Sequence, residues 1–345
     1  MLYRRVTVLT PIMSPSQCIN PNPDISGIGI RVSIYTQAFL GLVPLVLFAV
    51  HSKITQSERQ FLNAIYANIL LTACALLISA FVQAATFGLT VYHALVVLNL
   101  SWINNAGVVA WSYIDFLDDE DGKENRKIWA RLPIPFSNGL PSTLACAHLS
   151  AMAGLGIWVW AKVATFGDQP ECTPETWTIL FGHDIPVTNK PLYIASMVVY
   201  CIIALPGINL VLLVTLLMLV LVLVYVLLSL TVFLKKMVRG WNPSSFARRL
   251  AFIGAPLLGV FIVLLFIVDT ELMIRRNKGL VKEGESHWTF GQSLAMLMVV
   301  LPLVEVTKQG FSWYRGDHEK ASSAHRDLKP AGEILDASEP SRLTV

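Results

Sequence analysis

Residues 191–234 read PLYIASMVVYCIIALPGINLVLLVTLLMLVLVLVYVLLSLTVFL, 44 residues without a single charge. As one helix this run would be about 66 Å long, twice the ~30 Å hydrocarbon core of a bilayer. Pro206-Gly207 lies inside it, and a Pro-Gly pair is a strong turn signal. The economical reading is two helices, 191–205 and 209–234, joined by a tight turn, the first of them short.

Comparable apolar runs flank this one. Residues 32–50, 61–83, 91–114 and 143–164 precede it, and 250–268 and 289–306 follow it. The expected fold class is all-α, a polytopic transmembrane helix bundle of eight spans, with seven as the alternative if 191–234 crosses only once. The chain then divides into an N-terminal segment 1–31, a transmembrane helical domain 32–306 and a polar, cytoplasmic, disordered tail 307–345. Composition agrees: 54% of residues are hydrophobic and 14% charged, where soluble domains carry about 25% charged. The lipid bilayer is the first partner implied. A net charge of +3 gives no reason to expect nucleic-acid binding. The chain lacks the phosphate-loop, dinucleotide and zinc signatures, so neither a metal nor an organic cofactor is implied.

Orientation follows from the basic residues. With eight spans the side holding both termini carries 16 Lys and Arg against 10, and with seven the C-terminal side carries 17 against 9. Both counts put the C-terminus in the cytoplasm of an endomembrane or plasma membrane. Cys18 and Cys172 fall on one side in both counts and are the plausible pair. Eight spans would put them in the cytosol and keep them reduced, whereas a bond between them would favour seven. The basic start is broken by Thr7, Thr10 and Pro11, so the first membrane helix is the expected targeting signal. The 115–131 loop, an acidic cluster then a basic one, reads as a solvated turn. The 235–249 loop mixes basic residues with Trp241 and Phe246 and suits an anionic headgroup surface.

Polar groups at membrane depth carry the functional information, because they are costly there. The 91–114 helix is richest. His93, Ser101, Asn104, Trp111 and Asp115 share one face, with Asn99, Trp102 and Asn105 on the neighbouring stripe. The structural reading is interhelical hydrogen bonding. The functional one is a pocket for a lipophilic small-molecule substrate lined by Asn104, Asn105, Trp102, Trp111 and, from the next helix, His148. Asn68, Thr72, Ser79 and Gln83 repeat the pattern more weakly on the 61–83 helix. Among the acids, Glu271 has Arg275 at the favourable helical spacing and reads as an ion pair. Asp269, Asp115 and Glu305 are the candidate catalytic acids, since a carboxyl in apolar surroundings can stay protonated.

Five stretches also carry a family resemblance: NPDISGIGIRVSIYTQ (22–37), LNLSWINN (98–105), LSAMAGLGIWVW (149–160), DTELMIRRN (269–277) and GESHWTFGQSLAM (284–296). Together they resemble a large group of fungal multi-pass membrane proteins, a group similar to the membrane cyclases of fungal meroterpenoid pathways leading to ascochlorin-like compounds. The resemblance implies a membrane-embedded cyclase or isomerase acting on a prenylated or epoxidised lipophilic substrate. A protonated carboxyl would start the reaction and aromatic faces would stabilise the cation. The alternatives are a transporter or channel built on the Asn-rich helix, or a receptor-like protein without enzymatic activity.

Overall fold

The computed structural model describes residues 17–51, 54–86, 88–120, 140–235, 243–311 and 315, with the side chains of 50–51, 118–120 and 228–252 outside that description. The 115–131 and 235–249 loops and the tail from 316 therefore lie largely outside the described residues. The order is α1 (Pro23–Ser26), α2 (Ile28–His51), α3 (Gln56–Thr86), α4 (Val91–Glu120), α5 (Leu140–Ala161), β1 (Trp177–Leu180), β2 (His183–Pro186), α6 (Lys190–Ile203), α7 (Ile208–Lys235), α8 (Pro243–Asn277) and α9 (Phe290–Met298). The last helix continues with one irregular residue to Phe311, past the expected 306 boundary. The chain is an all-α bundle and a multi-pass membrane protein: among the described residues, seven helices are long and apolar enough to cross a bilayer.

The polar helix is the central one. In α4, 78% of the most apolar window is buried, against 17% for the span at Phe290–Phe311, so α4 meets protein and the last helix meets lipid. Small residues let its neighbours close in, as at membrane helix interfaces generally. A methyl group on Gly41 of α2 or Gly107 of α4 would sit 3.1 Å from the Tyr66 ring of α3. One on Gly259 of α8 would reach 3.1 Å from Leu42 and 3.4 Å from Ala110.

The 191–234 run does break at Pro206-Gly207, where Gly207 has φ +86°, but the two halves do not double back. The Tyr200 ring of α6 lies against Gly156 of α5, and Asn209 at the start of α7 donates to the Cys146 carbonyl and Ser150 Oγ, both 3.1 Å. Descending α5 thus follows the chain from α6 into α7. With 14 residues, about 21 Å, α6 reaches only mid-depth, and α7 carries on in the same direction. Of the two counts, this geometry carries seven crossings, with α6 and α7 as one discontinuous span.

The loops bear this out. The N-terminal segment, the α3–α4 turn, the α5–α6 loop and the α8–α9 loop all meet on one face of the bundle. Ile19 pairs with Val281, Trp177 exchanges hydrogen bonds with the Asn277 side chain, and a disulfide joins Cys18 to Cys172. The expectation of reduced cysteines is corrected here. Two further full crossings between Lys190 and Lys235 would have sent the α8–α9 loop to the opposite face. In native membranes the protein is expected to show a gel shift on reduction that Cys18→Ser lacks; identical mobility with and without reductant would contradict the bond.

The β1–β2 hairpin runs down α8 from Asn277 and turns on Phe181-Gly182, at φ 52° and 75°. Such a turn takes two positive-φ residues, and Phe is an unusual occupant of the first. Phe181 is 67% exposed, an apolar side chain at the outer tip of the hairpin.

Candidate functional site

Each candidate acid has a structural partner. Asp269, expected to be free because it lacks a partner at helical spacing, is 3% exposed and takes the hairpin tip: Phe181 N–H donates to Oδ2 and Gly182 N–H to Oδ1, both 2.9 Å. Asp115 forms an ion pair with Arg59 of α3 at the opposite end of α4. Glu305 accepts from Lys308 Nζ at 3.0 Å on an exposed face. None of the three lines one of the cavities described below.

Glu271 does not take Arg275. It pairs with Arg31 of α2 and accepts from Tyr35 Oη at 2.8 Å, joining two of the motif-bearing stretches. The pair is half-shielded, so Glu271→Gln should cost roughly 1–2 kcal/mol rather than the few tenths of an exposed helical pair. Thermal unfolding in detergent checks it: Glu305→Gln should melt near wild type. Equal melting of the two variants would contradict the assignment.

The candidate substrate residues divide. Trp102 stacks on Phe266 of α8 at 6.0 Å and, with Asn105, borders an almost wholly apolar cavity of about 170 Å³ between α4, α7 and α8. Asn105 donates to the Ser101 carbonyl at 2.9 Å, and its Oδ1 lies 3.2 Å from His148 Nδ1. Trp111 donates to Asn63 Oδ1 at 3.0 Å and stacks on Tyr66, which makes it an α3–α4 brace. Among the described residues, three fully buried atoms have no hydrogen-bond partner: Ser101 Oγ, Asn104 Nδ2 and His148 Nε2. The polar face of α4 is thus spent partly on its neighbours: among the described residues, Trp102 and Asn105 touch this apolar cavity, and His93 borders a separate, polar one.

A larger opening lies elsewhere. A groove of about 420 Å³ runs between α2, α3 and α9, walled by Ile30, Ile34, Leu76, Leu294 and Met298. α9 packs on α2, and Ala75, Phe290 and Leu294 stay exposed, so the groove opens sideways to lipid. Toward the loop-covered face it adjoins a polar cavity of about 640 Å³ bordered by Asn20, Asn22, Thr90, His93, Asp168 and Gln169. Asp24, Ser79 and Gln83 line both. The two form one cleft, apolar in the bundle and polar at its outer end.

Motif stretches build this cleft. Gln292 of α9, fully buried, accepts from Gly29 N–H at 2.8 Å and donates to the His287 carbonyl at 2.7 Å. Asn22 N–H donates to Glu285 Oε2 at 2.7 Å, and Glu285 Oε1 lies 3.1 Å from His93 Nε2, whose Nδ1 lies 2.7 Å from Thr90 Oγ1. Asp24 Oδ1 accepts from the Thr289 hydroxyl at 2.6 Å; this is the one side-chain hydrogen bond of Asp24 among the described residues. A Cβ at Gly291 would lie 2.4 Å from Asp24 Oδ1, so a side chain there would displace the carboxyl from this position. Asp24 is thus the carboxyl at the junction of the apolar and polar parts. Sequence reading passed over it as part of an N-terminal segment, although it stands inside NPDISGIGIRVSIYTQ. Thr72, Ser79 and Gln83, from the weaker stripe of α3, do line the cleft.

Comparison of the chain with protein-family models, with characterised proteins and with solved structures finds no match.

Proposed function

We propose that the protein is a membrane-embedded cyclase or isomerase that draws a lipophilic, prenylated or epoxidised substrate from the bilayer into the cleft between α2, α3 and α9. The observation that carries this reading is the junction: an apolar groove open to lipid meets a polar cavity, and Asp24 lines both. The apolar chain would fold back within the groove along Ile34, Leu76 and Leu294, bringing its epoxide to Asp24 while its head group sits in the polar cavity. The carboxyl gives its proton to the epoxide oxygen as the C–O bond breaks. An alkene of the same chain attacks the cationic carbon to form a C–C bond. A proton is then lost to the Asp24 carboxylate, so the product is an isomer of the substrate. Phe290, which lines the groove beside Gly291, offers an aromatic face to the cation.

The disulfide-bonded face is assigned to the lumenal or extracellular side, where such bonds persist. On that assignment seven crossings would leave the C-terminus in the cytoplasm, a reading supported by the 17 of 26 Lys and Arg residues that fall on that side.

The test is purified protein in nanodiscs incubated with a terminally epoxidised prenyl phenol. A new product of unchanged mass is expected. No product, combined with protein-dependent movement of the same compound across a vesicle membrane, would instead support a transporter. The α6–α7 break at mid-depth is the feature that favours that second reading, because transporters build sites from discontinuous helices.

A further inference from the structure

The polar end of the cleft holds information about the head group of its ligand. Sites for phosphates and carboxylates are built with Arg or Lys, which supply charge and several donors at once. Among the described residues, no Arg or Lys lines either part of this cleft. The nearest cations are Arg31, paired with Glu271, and Lys282 at the outer rim, whose Nζ donates to Asn20 Oδ1 at 2.7 Å. His93, 1% exposed, is held between Thr90 and Glu285. The lining instead carries two carboxyls, Asp24 and Asp168, and Asp168 has no hydrogen-bond partner among the described residues. Asn22 donates to Gln83 through Nδ2, and its Oδ1 accepts no hydrogen bond among the described residues. An anionic head would find two carboxyls facing it here, whereas a head that donates hydrogen bonds would find acceptors waiting.

Taking the cleft as the substrate site, we infer that it accepts an amphiphile whose head donates hydrogen bonds, a hydroxyl or an ammonium, and rejects phosphate, diphosphate and carboxylate heads. Prenyl diphosphates are therefore not its substrates, and the chain arrives with its head already uncharged or amine-bearing. A reaction that removes or replaces a diphosphate must precede this protein.

The test uses full-length protein in nanodiscs and a photoreactive farnesol analogue, with labelled peptides mapped by mass spectrometry to α3 and α9. Farnesol, farnesylamine, farnesoate and farnesyl diphosphate then compete, one chain with four heads. Farnesol and farnesylamine should reduce labelling at concentrations about tenfold below any effect of the two anions. Farnesylamine ahead of farnesol would mark an ammonium site and the reverse a hydroxyl site; both support a donor head. Asp168→Lys should bring farnesyl diphosphate to within reach of farnesol and weaken farnesylamine by about tenfold, with Asp168→Asn between the two. Thermal unfolding of each variant separates misfolding from altered preference. Diphosphate competing as well as farnesol at the wild-type protein would overturn the inference. Because the readout is binding, a failure here leaves conversion by the wild-type protein untouched, and a loss of the cyclase reading leaves the head preference standing.

Discussion

Asp24→Asn is expected to abolish conversion of an epoxidised prenyl substrate, by at least the roughly 10²-fold that a general acid contributes. The amide has nearly the shape of the acid and still offers an oxygen to the Thr289 hydroxyl, so the contact that steadies the start of α9 survives. What disappears is the transferable proton at the junction of groove and cavity. Thr289→Val makes the complementary change: it removes the donor to Asp24 Oδ1 and the side-chain acceptor for Gln292 N–H, but leaves the carboxyl in place. That variant should lose about 1 kcal/mol of stability, the usual cost of a helix cap, and keep most of its turnover. Wild-type rates in Asp24→Asn would remove the carboxyl from the chemistry.

The second large effect is on folding. Asp269→Ala takes away both acceptors of the hairpin tip, leaving the Phe181 and Gly182 N–H groups unpaired. Both bonds are part-buried, and a hydrogen bond to a charged group contributes about 1.5–3 kcal/mol, so losing the two costs roughly 3 kcal/mol, still a sizeable share of the stability of an ordinary domain. The variant should melt far below wild type in detergent, with Asp269→Asn between them because one oxygen remains. Any loss of conversion should track the folded fraction. Asp269→Ala that melts like wild type yet makes no product would return Asp269 to the chemistry.

Much of the architecture was legible in the chain because apolar length is an unambiguous signal: every long run became a helix. The 191–234 run shows where legibility stops. Its Pro-Gly break was plain, but a turn and a mid-depth interruption have the same sequence, and only Tyr200 against Gly156 and Asn209 against Cys146 show which one formed. The site was less legible, for a physical reason. Helical spacing reports neighbours on the same helix, whereas the partners that decide a carboxyl's role come from elsewhere in the chain. Asp269 looked free because its partners are backbone N–H groups 87 and 88 residues away, and Glu271 was matched to Arg275 although Arg31 lies across the interface. Asp24 gave no local signal at all. The stripe on α3 did, because a polar face on a helix beside lipid has to meet a cavity or another helix.

The location of the site is open to a direct steric test. Ser79→Trp and Leu294→Trp would each fill the groove between α2, α3 and α9, and Leu216→Trp would fill the smaller cavity between α4, α7 and α8. Leu216 and Leu294 are 54% and 48% exposed, so both tolerate a larger side chain without disturbing the packed interior. Conversion and photolabelling are measured for the three variants at equal folded protein. Loss of both in Ser79→Trp and Leu294→Trp, with Leu216→Trp close to wild type, is the expected result. Loss confined to Leu216→Trp would contradict the cleft and move the site to the cavity beside Trp102 and Asn105.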